Sequence, residues 1–140
     1  LMQEHGRVTC ERVVSGPGLA AIHRILADEA IDAATVSARA RAGDAAARQS
    51  LDVFLAAYGA FAGDMALAVM ARGGVYLAGG IAAKILPLLQ SGTFIEAFNA
   101  KAEHAALVVR MPVHAVTDPL LGLRGAARLA QDGSGPPRLQ

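Results

Sequence analysis

Gly73-Gly74-Val75-Tyr76-Leu77-Ala78-Gly79-Gly80-Ile81 is a short apolar run closed at both ends by paired glycines. Val75 to Ala78 is too short, and too closely flanked by glycine, for a helix. Its β-branched and aromatic content suits a buried parallel strand. Gly79-Gly80 then forms the strand-to-helix turn. Bare backbone at the carboxyl end of a strand lets N–H groups approach a ligand closely, and the helix that follows points its positive end there. A ligand-free β-α turn has the same sequence signature, since glycine pairs after strands are common.

Working outward, Val53 to Ala71 is almost wholly apolar and long enough on paper to cross a bilayer. Asp64 in its middle, the abundance of alanine and Arg72 just after it favour a buried helix of a soluble protein instead. Leu51, Leu55, Tyr58, Ala62, Met65 and Val69 recur at helical spacing, with Phe54, Phe61 and Leu67 on other faces. A helix apolar all round is a central one, here starting at Asp44 and running to about Ala71. Gly59 and Gly63, four apart, let another helix or the sheet come close. Asp64 reads as a structural cap or a partner of neighbouring backbone.

Upstream, Ser15 caps a helix from about Gly16 to Asp28, with Pro17 in its first turn and Leu19, Ile22, His23 and Leu26 on one face. Glu11 to Val14 is a short turn or helical piece. Thr35 caps a short helix ending at Gly43, and Leu1 to His5 reads as the tail of a helix stopped by Gly6. Downstream, Ala82 to Leu89 is helical, Ser91 or Thr93 caps a piece reaching about Lys101, and Leu107 to Val109 is a short strand or helix end. Pro112 to Val116 is a second core strand, Leu120 to Gln131 a final helix, and Gly133 to Gln140 a flexible tail. The expectation is an α/β chain, rich in helix, with two buried strands each followed by a helix. Two parallel strands make a poor sheet alone. The missing part is expected before Leu1.

Composition narrows the function. Thirteen basic and twelve acidic residues nearly cancel, with no basic run to serve as a footprint for nucleic acid. The single Cys10 forms no intrachain disulfide framework, and no cysteine and histidine cluster has zinc spacing, which fits a reducing cytoplasm. Nothing at the start reads as a signal peptide. His5, His23, His104 and His114 are scattered, none with an orienting carboxylate in the sequence pattern of a general base. Glu11 is more informative, because it stands four residues before Ser15-Gly16-Pro17-Gly18 and can place a carboxylate at the mouth of that helix. A carboxylate there accepts hydrogen bonds from neighbouring hydroxyls, as in the grip on a sugar edge. It serves equally as a surface charge that complements the helix dipole.

Cys10-Glu11-Arg12-Val13-Val14-Ser15-Gly16-Pro17-Gly18-Leu19, Gly74 to Ile81, Phe94-Ile95-Glu96-Ala97-Phe98-Asn99-Ala100-Lys101, Met111-Pro112-Val113 and Gly122-Leu123-Arg124-Gly125-Ala126 follow one another in an order that resembles the C-terminal part of the bacterial ATP-dependent glucokinase family. The match runs from about Gly6 to Ala130. The resemblance implies an actin-like, ribonuclease H-like ATPase fold in which two α/β lobes close over glucose and ATP with Mg2+. Residues 1–132 would form most of the large C-terminal lobe and 133–140 its tail. It implies that Glu11 hydrogen-bonds glucose, that Ser15 and Gly16 open the helix beside it, and that Gly79 and Gly80 lie against the nucleotide. Gly122 and Gly125 match a glycine pair on the adenosine side, although close helix packing explains small residues equally well. The family's phosphate loop, catalytic aspartate and glutamate-glycine-glycine-histidine sugar motif all precede the stretch matched here, so no catalytic residue is expected in this chain. It departs from the pattern in the short connection between Asp28 and Asp44, and at Ala102, where glycine is expected.

Two other readings share these residues: a sugar-responsive regulator that kept the lobe without catalysis, and an oligomerisation module. The partners implied are glucose, ATP, the N-terminal lobe and another copy of the chain, with neither nucleic acid nor membrane. The kinase reading requires Glu11 and the Gly79-Gly80 turn to face one shared hollow.

Overall fold

The computed structural model describes residues 6–79, 85–90 and 92–132. Among the described residues the first half holds the helices α1 (Cys10–Val13), α2 (Gly16–Ala27), α3 (Ala33–Arg41) and α4 (Ala45–Ala68). Then come β1 (Val75–Leu77), α5 (Leu86–Leu89), α6 (Thr93–Asn99), a 3-10 turn at Ala102–His104, α7 (Ala105–Val108), β2 (Val113–Ala115) and α8 (Leu121–Gln131). The two strands pair in parallel, Val75 with Val113 and Leu77 with Ala115. Expected residues 1–5, Gly80 to Lys84, Ser91 and the tail lie outside the described residues.

Helix α4 is the hub, with α2, α3 and α6 packed around it. The Asp44 side chain accepts from the Ala47 amide at 2.8 Å and starts the helix where the sequence indicated. Leu51, Phe54, Leu55, Ala62 and Ala66 are buried, while Met65 and Val69 on the same expected stripe face out. The helix is long and apolar enough to span a membrane, but its buried side is occupied by other helices of the chain. Gly59 and Gly63 set how close α6 comes. A β-carbon at Gly59 would overlap the carbonyl oxygen of Phe94, and one at Gly63 that of Phe98. At this approach the Tyr58 ring meets Phe94 edge-on with centroids 5.3 Å apart, and burial raises the Tyr58 phenol pKa.

Several local expectations change. The cap of α3 is Asp32, whose carboxylate accepts from the Thr35 amide at 2.7 Å; Thr35 lies inside the helix as donor. Gly92, with no side-chain cap, precedes α6, so Thr93 is its first residue. Helix α4 stops at Ala68, three residues early, because Met70 turns left-handed at φ +49. Leu26 is exposed at the end of α2. β1 ends at Leu77, while Leu107 and Val108 close helix α7, the helix end of the two alternatives expected there. Each strand buries only one face: Leu77 is in the core, whereas Tyr76 is 64% exposed and stacks on the exposed His114 ring at 4.9 Å. Asp64 is exposed too, and pairs at 2.6 Å with the mostly buried Lys101 ammonium, which also donates to the Ala60 carbonyl.

A polar staple joins α2, α3 and α4. The Ser50 hydroxyl donates to the Ala46 carbonyl at 2.8 Å, so it accepts from Nδ1–H of the buried His23 at 2.9 Å. The other ring nitrogen lies 3.7 Å from Glu29, whose carboxylate takes two bonds from Arg39 at 3.0 and 2.7 Å. The Arg39 hydrogen bond, opposed by some desolvation, holds the Glu29 pKa below its ordinary value. A carboxylate with a lowered folded pKa contributes stability above the unfolded value, and that contribution fades as pH falls through the folded one. Glu29→Gln is therefore expected to flatten the loss of stability below the ordinary value of 4.5, compared by urea unfolding at neutral and acidic pH. Parallel acid limbs for the two proteins would contradict this.

Gly59→Ala should cost about 1–3 kcal/mol by forcing two backbones apart. Gly73→Ala, where an added β-carbon meets nothing within 4 Å, should stay within about 0.5 kcal/mol. Ala102 sits at φ +45, the physical reason a glycine suits that position, so Ala102→Gly should gain about 1 kcal/mol. Thermal unfolding of the three variants checks the ordering.

Candidate functional site

The site is built on the turn between α1 and α2. Ser15 caps α2, its Oγ accepting from the Gly18 amide at 3.1 Å, and Pro17 fills the first turn where no N–H is needed. Gly18 is buried, and a β-carbon there would overlap the carbonyl oxygens of Arg12 and Val13. That clash-free contact seats α1 directly against the beginning of α2. Glu11, in the first turn of α1, is exposed and makes no hydrogen bond or ion pair among the described residues. Its carboxylate is free to accept from a ligand. Gly18 as the seat of Glu11 escaped the sequence reading, since only the fold brings Val13 back over it.

Behind the turn lies a cavity of about 730 Å³ between α2, α3 and α4. Leu19, Ala20 and Phe54 make its apolar wall, and Ser15, Gly16, Asp32, Ser37 and Arg41 its polar edge. Hydrogen bonds from the Thr35 hydroxyl and amide hold the Asp32 pKa below the usual value, so Asp32 is an anion at this edge at neutral pH. Ile85, the first described residue after the glycine turn, also lines the cavity. The structure thus brings Ser15 and Gly16 to the same hollow as Ile85. Glu11 and Gly79 themselves stand outside its walls.

Gly79 is exposed at the carboxyl end of β1 with φ +110, a conformation open to glycine, and a β-carbon there would meet no atom within 4 Å. The backbone is bare on that side, as close approach of a nucleotide requires. Gly80 lies outside the described residues. Gly122 and Gly125 lie on α8, which is exposed along its whole length, and neither has an atom within 4 Å of an added β-carbon. Close packing among the described residues therefore does not account for them. Among the described residues no three His, Cys, Asp or Glu side chains gather as a metal site. His23 is buried in the staple, His104 stands exposed 4.0 Å from Glu103, and His114 stacks on Tyr76.

The described residues thus form a helix-rich α/β lobe with an exposed glycine after its first strand and an exposed carboxylate beside a capped helix. The family model described as Glucokinase matches residues 1–133, and the chain belongs to that family. It is 42% identical over 138 residues to a glucokinase of Xanthomonas campestris pv. campestris strain B100, covering 94% of this chain and 41% of that protein. A glucokinase of Stenotrophomonas maltophilia strain K279a is 41% identical over the same length, with the same coverage. The crystal structure of a glucokinase from an Antarctic psychrotroph superposes with a TM-score of 0.83 at 33% identity, over 94% of this chain and 43% of that one. The chain spans about two fifths of the length of the curated relatives it matches.

Gly18→Ala is the sharpest test of how the site is held. It should cost about 1–3 kcal/mol and shift the α1 amides in an NMR spectrum, because α1 must lift away. A variant with unchanged stability and unchanged α1 amide shifts would show that the seat is not tight.

Proposed function

We propose that this chain is the large C-terminal lobe of a cytoplasmic glucokinase that transfers the γ-phosphoryl group of ATP to O6 of glucose. The observation that carries this reading is the family match along residues 1–133, joined to a free carboxylate at Glu11 seated beside the α2 mouth. In this reading Glu11 accepts hydrogen bonds from two sugar hydroxyls and fixes the ring, so that O6 points at the phosphate. Ser15 and Gly16 hold the helix mouth at the distance the sugar needs. Gly79, followed by Gly80, admits the nucleotide against bare backbone, and Gly122 and Gly125 leave room on the same ligand. ATP carries Mg2+, which neutralises charge on the phosphates as the terminal group is transferred. O6 gives up its proton, the bond to the γ-phosphorus forms, and ADP leaves. The base that takes that proton belongs to the rest of the protein.

The same reading assigns a partner to α8. All of its residues are exposed, and Leu123 and Leu129, with Ala126 and Ala130 between them on that face, present an apolar side that nothing among the described residues covers. The N-terminal lobe would cover it, and without that lobe copies of the chain would cover one another. Light scattering of the 140-residue chain should show association that rises with concentration, and Leu123→Ser with Leu129→Ser should reduce it. A clean monomer at all concentrations would contradict this.

The kinetic test uses the complete enzyme. Glu11→Gln should raise the KM for glucose by about tenfold or more, as expected when a hydrogen-bonding partner for a hydroxyl is weakened, with little change in the KM for ATP. Gly79→Val should do the reverse. Unchanged kinetics in Glu11→Gln would remove Glu11 from the sugar site, and the isolated chain is expected to show no turnover.

A further inference from the structure

The turn that follows α4 and the turn that follows α7 enter the two strands in step. Val75 pairs with Val113, and Arg72 and Arg110 each stand three residues before these partners, in the turns that lead into β1 and β2. Both turns are pinned by backbone. The Arg72 amide donates to the Met70 carbonyl at 2.7 Å, the Arg110 amide to the Leu107 carbonyl at 3.2 Å, and the Val75 amide ties the turns together through the Pro112 carbonyl at 2.8 Å. Arg72 and Arg110 line one hollow of about 350 Å³, with Met70, Leu107 and Met111 as its apolar wall.

Neither guanidinium has an acidic partner among the described residues, in contrast to Arg39 and Arg124. Two like charges brought to one hollow with no acidic partner repel one another. An oxyanion between them reverses the sign of that term, and the planar guanidinium fork is the group suited to grip a phosphate or carboxylate through two bonds at once. The hollow is at the lower end of the size range of small-molecule pockets, roughly 300–1,000 Å³. It opens at the amino ends of both strands, whereas Gly79 lies beyond the carboxyl end of β1. It is therefore not the sugar and nucleotide face.

We propose that the Arg72 and Arg110 hollow binds a small organic oxyanion, a phosphate monoester or carboxylate carrying a short apolar group. The guanidiniums clamp the anion, and Met70, Leu107 and Met111 cover the apolar part. This site does not depend on the kinase reading, because its residues take no part in the proposed grip on glucose or ATP. A chain that failed every glucose test would still bind the anion.

The test titrates the ¹⁵N-labelled chain with phenyl phosphate, benzoate and inorganic phosphate, following the arginine Nε–H signals by NMR. Saturable shifts are expected at Arg72 and Arg110 but not at Arg124, with phenyl phosphate or benzoate bound roughly tenfold more tightly than inorganic phosphate. The organic arm that saturates first identifies the anionic group. The double variant Arg72→Gln with Arg110→Gln should lose at least about tenfold in affinity while keeping or raising its unfolding temperature, which separates lost binding from lost folding. No saturable shift with any of the three anions overturns the proposal. So do equal shifts at all exposed arginines, undiminished binding by the double variant, or a preference for inorganic phosphate over both organic anions.

Discussion

The structure depends on two glycines that admit a neighbouring backbone. At Gly59 and Gly63 the carbonyl oxygens of Phe94 and Phe98 occupy the space where β-carbons would stand. Nothing larger than hydrogen fits, so the distance between α4 and α6 is fixed by backbone rather than by side chains. Tyr58 then meets Phe94 edge-on, Phe94 stacks on Phe98, and Lys101 reaches across to the Ala60 carbonyl and Asp64. With α6 clamped to one side of α4 and the His23, Ser50 and Glu29 staple on another, the hub is held between two layers.

The candidate sugar site uses the same device on a smaller scale. Gly18 lets the carbonyls of Arg12 and Val13 rest on the beginning of α2, and Ser15 caps that helix from the intervening turn. The carboxylate of Glu11 is positioned by this backbone contact without spending any hydrogen bond of its own among the described residues. A group that must accept from a ligand is best held that way, since competing internal partners would have to be broken on binding.

Much of this was legible in residue order. Asp44, Ser15 and Pro17 announced helix starts because caps are local chemistry, and Gly59 with Gly63 announced a close approach because their spacing puts both on one face. The parallel strand pair and the family could be read from short motifs for the same reason. What stayed hidden was set by distant partners. Thr35 and Asp32 are both competent caps, and only the backbone path chose Asp32. Asp64 looked like a partner of backbone because its helix is apolar, yet it is exposed and pairs with the mostly buried Lys101 ammonium. The strands looked fully buried because their sequence is apolar, whereas Tyr76 and His114 cover an exposed sheet face in a chain that spans only part of its relatives' length. The contact of Gly18 with Val13 and the hollow shared by Arg72 and Arg110 follow from tertiary contact, which no window along the sequence contains.

The central claim joins a carboxylate near the beginning of the chain to a glycine turn in its middle through ligands that neither touches here. A crystal structure of the complete protein with glucose and a non-hydrolysable ATP analogue measures this directly. The account predicts both Glu11 oxygens within hydrogen-bonding distance of sugar hydroxyls and the Gly79 backbone in van der Waals contact with the nucleotide, both in one cleft. Glucose bound elsewhere, with Glu11 left in solvent, would contradict it.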